Sequence, residues 1–119
     1  MIIPSMDSMQ LSQFKHAVAR TIGEQLRLLR RDKGLTGRDF GALLDLSQQQ
    51  ISRYERGRNY ITTDILLLML SRLGVPPESF FRHLTLHLKN QGLVILSPYS
   101  FYEHDNQPVH STYHLSVGR

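Results

Sequence analysis

Residues 47–57 read Ser47-Gln48-Gln49-Gln50-Ile51-Ser52-Arg53-Tyr54-Glu55-Arg56-Gly57, and this stretch decides the fold. Ser47 and Gln50 have the spacing of a capping box, in which the hydroxyl accepts the N–H three residues on and the longer side chain reaches back. Gly57 suits the stop at the other end. At about 100° of turn per residue, Gln48, Gln49, Ser52, Arg53 and Arg56 share one side, and Ile51 and Tyr54 fall on the opposite side. The apolar side is therefore expected to dock and the polar side to face outward. A glutamine amide offers a donor and an acceptor together, which matches adenine N6 and N7. An arginine fork matches guanine O6 and N7. A solvated amphipathic helix would use the same residue types, because Gln and Arg are good surface helix formers.

Working upstream, Thr36 with Asp39 repeats the capping spacing, and Phe40, Leu43 and Leu44 give a short second helix. Asp45-Leu46-Ser47 then interrupts the pattern. Asp tolerates a left-handed conformation better than most residues. A connection of about three residues is in the range of a helix-turn-helix rather than a relaxed hairpin. Before it, Phe14, Val18, Ile22, Leu26 and Leu29 recur at helical spacing, so a first helix is expected from Leu11 to the stop at Gly34. Gly23 lies inside that pattern, which leaves room for a break near residues 19–21.

Downstream, Thr62 or Thr63 can cap a fourth helix through Leu73, and Pro76-Pro77 opens a fifth that runs to about Lys89. The fourth helix is apolar almost all round. Leu66, Met69, Leu70 and Leu73 form one core face, which leaves Leu67 and Leu68 as candidates for a dimer contact or for cover by the tail. The tail alternates from Val109 to Val117 after an apolar run at Leu93-Val94-Ile95-Leu96, which is strand periodicity. The expected organisation is a loose arm over residues 1–10, a helical domain over 11–89, and a C-terminal segment over 90–119 that forms a short hairpin or extended element.

Charge is unevenly placed within a net of +4. Residues 15–60 carry +5, and residues 61–119 are neutral. A basic block beside a neutral tail points to a polyanion partner for the block. The chain has no cysteine, which removes disulfides, thiolate nucleophiles and Cys-based zinc sites. Its longest apolar run is six residues, Ile65–Leu70, against the roughly twenty a membrane span requires. No signal peptide is read at the N-terminus. No nucleophile elbow, zincin, phosphate-loop or dinucleotide motif is present, so no enzyme and no cofactor are expected. His83 with His87, and His110 with His114, could together offer four imidazoles to zinc or nickel. The sparse acidic ligands favour exposed histidines instead, and no metal site is expected.

From Gly23 to about Phe81 the sequence resembles the Cro/CI-type (XRE) helix-turn-helix family of bacterial and phage regulators. The resemblance rests on Ile22-Gly23-Glu24 through Leu26, Arg30, Gly34-Leu35-Thr36, and Phe40 through Ser47. It rests most of all on the run from Ser47 to Gly57, with Leu66, Leu73-Gly74-Val75 and Phe80. It implies an all-α, five-helix bundle and sequence-specific duplex binding as a homodimer on an inverted repeat. It also implies that Gly41 is small because two helices approach closely there, and that Arg30 pairs with Glu55. Asp45 departs from the family's usual turn glycine, so some strain is expected there. Within the family, the Ser47–Gly57 run with Leu35-Thr36-Gly37 is similar to regulators encoded with fimbrial operons (MrpJ-type), which are implicated in switching between adhesion and motility.

The residues and the resemblance together give a cytoplasmic, nucleoid-associated transcriptional regulator with no small-molecule ligand. Base contacts are expected from Gln48, Gln49 and Arg53, with lesser ones from Gln50 and Ser52. Backbone contacts are expected from Thr36, Arg38, Ser47, Arg56, Arg58, Asn59 and Thr63. The alternatives are an antitoxin-like or phage-type repressor whose tail grips a partner protein, a protein-interaction module on the same scaffold, and a histidine-based metal sensor.

Overall fold

The computed structural model describes residues 7–93. They form five helices: α1 (Ser8–Asp32), α2 (Gly37–Leu44), α3 (Gln48–Glu55), α4 (Thr63–Leu73) and α5 (Pro77–Asn90). No strand occurs among the described residues. The hairpin expected over the tail lies outside them, except for Leu93, which packs against the core.

α1 begins three residues before the expected start at Leu11, so Ser8–Gln10 of the expected arm are its first turn. The cause is local. Asp7 accepts the Gln10 N–H, and the Gln10 amide oxygen accepts the Asp7 N–H, a reciprocal cap that starts the helix early. α1 then runs unbroken through Gly23, so the break near residues 19–21 is absent. Gly23 lacks a side chain for another reason. A Cβ there would overlap the carbonyl oxygens of Tyr54 and Glu55 at the end of α3.

The core joins one face of every helix: Leu26 from α1, Phe40 and Leu44 from α2, Ile51 from α3, Leu66, Met69, Leu70 and Leu73 from α4, and Phe80, Leu84 and Leu88 from α5. Burying side chains of this size stabilises by about 1.5–3 kcal/mol each. The eight-residue α2 and α3 are too short to persist alone, and packing on α1 and α4 holds them. α5 is tied to α1 by the Gln91 amide, which donates to the Thr21 hydroxyl at 2.9 Å. Among the described residues nothing covers the outer side of α4, where Leu67 and Leu68 are 43% and 39% exposed.

Candidate nucleic-acid interface

The angle between α2 and α3 is set at their junction. Leu46 N–H donates to the Gly41 carbonyl at 2.8 Å, which folds the chain back over the end of α2. Asp45 takes the left-handed conformation this requires, with φ 58° and ψ 41°. A side chain at position 41 would meet the Leu46 carbonyl oxygen, so the two helices approach as closely as they do because Gly41 has none. Ser47 then caps α3. Its hydroxyl accepts the Gln50 N–H at 3.0 Å, and its own N–H donates to Gln50 Oε1 at 2.8 Å. Thr36 and Asp39 make the same reciprocal pair at the head of α2.

On α3, Ile51 and Glu55 are buried, Ser52 and Tyr54 are half-buried, and Gln48, Gln49, Gln50 and Arg53 are exposed. The exposed set divides further. The Gln50 amide is turned back onto the cap, so it cannot present donor and acceptor side by side to a base. The side chains of Gln48, Gln49 and Arg53 stand outward with no capping duty.

Glu55, at the far end of α3, is 7% exposed and meets Arg30 of α1 in a two-pronged pair. Arg30 Nε donates to Glu55 Oε2 at 2.6 Å and Nη2 donates to Oε1 at 2.9 Å. The remaining nitrogen, Nη1, donates to the Leu35 carbonyl at 2.7 Å. The hydrogen bond to Glu55 raises the Arg30 guanidinium above its ordinary range, against the lowering effect of burial, and the carboxylate's charge adds to the rise. The pair joins the end of α3 to α1 and to the turn entering α2.

The expected backbone contacts fall into two groups. Thr36, Arg38 and Ser47 lie around the N-terminal ends of α2 and α3, and Arg56, Arg58 and Asn59 lie in the turn leaving α3. All are exposed except Asn59, which is half-buried. Thr63, also exposed, opens α4. There Asp64 accepts the Thr62 hydroxyl and the Ile65 N–H. These bonds hold the Asp64 carboxyl below the usual carboxylate range, that to Thr62 most strongly. Thr62 sits at the cap position without capping the backbone, and the helix head carries an acid that opposes a phosphate.

Sequence reasoning missed two residues, His16 and Arg20 of α1. They line one concavity with Arg56, Gly57, Arg58 and Tyr60. Local pattern could not find them, because only the packing of the α3–α4 turn on α1 brings the two segments together. His83 and His87 are exposed on α5, with His83 Nδ1 2.9 Å from the Ser79 carbonyl oxygen. Their expected counterparts, His110 and His114, lie outside the described residues.

A family model described as a helix-turn-helix domain matches residues 21–80. No curated protein sequence matches the chain. Two solved structures of the clp gene regulator ClgR from Corynebacterium glutamicum are similar in fold. One is 26% identical with a TM-score of 0.54, over 57% of this chain and 87% of the other. The second is 24% identical with a TM-score of 0.52, over 70% and 93%.

Proposed function

The chain belongs to the helix-turn-helix domain family, and we propose that it regulates transcription by reading a specific duplex sequence as a homodimer. The observation that carries this is the division of α3. Its inner side chains and Glu55 bind it to the body, while Gln48, Gln49 and Arg53 stand exposed with nothing structural to do. An arginine and two glutamines on the outer side of a capped helix suit guanine and adenine edges in the major groove. Gln50 and Ser52 contribute less, the first because its amide serves the cap and the second because it is half-buried.

Thr36, Arg38 and Ser47 on one flank, and Arg56, Arg58 and Asn59 on the other, position the helix through phosphates. Thr63, beside the Asp64 carboxylate, adds little. Two copies joined through the outer side of α4, at Leu67 and Leu68, would place their α3 helices in successive major grooves about 34 Å apart, on an inverted repeat. The protein works on the nucleoid in the cytoplasm. Control of fimbrial and motility genes is the biological setting supported by the likeness of residues 35–57 to fimbrial-operon regulators. No helix among the described residues is long and apolar enough to cross a membrane.

Selection of bound sites from a random duplex pool tests this reading, because half-site spacing reports symmetry and base preference together. Arg53→Ala is expected to weaken the selected site by ~1–3 kcal/mol and to relax preference at one base pair. Arg56→Ala is expected to weaken all sequences alike and to flatten the salt dependence. Unchanged base preference in both Gln49→Ala and Arg53→Ala would remove α3 from the groove.

A further inference from the structure

One concavity outside the outward face of α3 gathers positive charge from segments far apart in the chain. α1 supplies His16 and Arg20, and the turn after α3 supplies Arg56, Gly57, Arg58 and Tyr60. The cavity measures about 310 Å³ and has no carboxylate in its lining. None of its three arginines makes an ion pair among the described residues. The His16 ring packs edge-on against Tyr60, with centroids 6.4 Å apart and planes at 73°.

Backbone packing fixes this gathering. Gly57 is left-handed, with φ 72°. A Cβ there would lie 2.8 Å from the backbone N and Cα of Arg20, so the turn rests directly on α1. The fold thus brings three arginines to the lining of one hollow with no acid among them. Guanidinium forks match the oxygens of a phosphate, and an imidazole edge adds a donor.

We propose that this hollow is a phosphate site completed by α1, in which Arg20, with His16, joins Arg56 and Arg58 in holding one backbone phosphate of the bound duplex. That source for the phosphate rests on the DNA-binding reading. It fits the position of the hollow at the C-terminal end of α3, beside the bases that helix reads. α1 then acts as more than scaffold: the helix that anchors α3 through Arg30 also grips the strand that α3 enters.

The test measures affinity for a duplex of mixed sequence across a sodium chloride series, using wild type, Arg20→Gln and Arg20→Lys. Glutamine keeps the Cγ that packs on Gly57 and lysine keeps the charge, and thermal melts check that each variant is folded. Arg20→Gln is expected to make the slope of log K against log[salt] shallower by about 0.9, as for one lost phosphate contact. Arg20→Lys is expected to retain the slope, and base preference should be unchanged in both. A wild-type slope in Arg20→Gln overturns the site and leaves the DNA-binding reading intact. If wild type binds no duplex, that reading fails, and titration with inorganic phosphate followed by NMR decides the hollow. Saturable shifts at His16 and Arg20 that vanish in Arg20→Gln support a site for free phosphate, and a flat titration overturns it.

Discussion

Glu55 shows how much one side chain can hold. Its carboxylate is buried, and both oxygens are engaged by a guanidinium that is itself largely out of water. Removing one partner of such a pair leaves an uncompensated buried charge, which costs far more than the net worth of the pair. Glu55→Gln is therefore expected to destabilise by about 3–5 kcal/mol, read as a lower urea midpoint at unchanged slope. Asp45 presents the opposite case. It holds a left-handed backbone that glycine adopts without steric cost. Asp45→Gly is expected to raise stability by about 0.5–1 kcal/mol, once glycine's greater freedom in the unfolded chain is set against the relief. An unchanged midpoint would mean that the relief only balances glycine's greater freedom, and a lower one that the relief is the smaller of the two.

Among the elements, α2 and α3 depend most on their caps, because eight residues cannot sustain a helix unaided. Ser47→Ala removes the acceptor for the Gln50 N–H and is expected to cost about 1 kcal/mol. The Ser47 N–H that holds the Gln50 amide is kept in this variant, so base preference is expected to stay unchanged in site selection. These caps were legible in the sequence because they are local: Ser47 with Gln50 and Thr36 with Asp39 need only a spacing of three. Asp7 with Gln10 carried the same signal, and it starts α1 before the apolar periodicity that suggested Leu11. Thr62 shows where residue type misleads, since its hydroxyl finds a charged acceptor two residues on instead of the helix backbone. Gly23 looked like a flaw in α1 because its reason lies in another element, the end of α3. The pairing of Arg20 with the turn at Gly57 was illegible for the same reason. Helical angle alone places Gln48, Gln49 and Arg53 outward, but it counts Ser52 with them, and the structure half-buries Ser52.

At the scale of the described bundle, the outer side of α4 is one apolar surface that the other helices leave uncovered. Leu68 stands one helical turn before Arg72, whose Nε donates to the Leu43 carbonyl at the end of α2, and Leu43 is itself 45% exposed. Apolar side chains left in water on one side of a small bundle fit a self-association surface. Leu68→Glu is expected to turn a dimer into a monomer at micromolar concentration in sedimentation velocity, with the melting temperature of the monomer nearly unchanged. A dimer that survives this substitution would remove Leu68 from the contact.

The separation of inner from outer side chains along α3 also bears on how such a protein can diverge. Ile51, Glu55 and the Ser47–Gln50 cap seat the helix, whereas Gln48, Gln49 and Arg53 are exposed and take no part in the cap or the ion pair. On the proposed reading, mutations at those three places rewrite the target while the scaffold's tolerance for error stays whole. A lineage of paralogues could thus acquire new addresses by drift at three codons, each intermediate still soluble and folded.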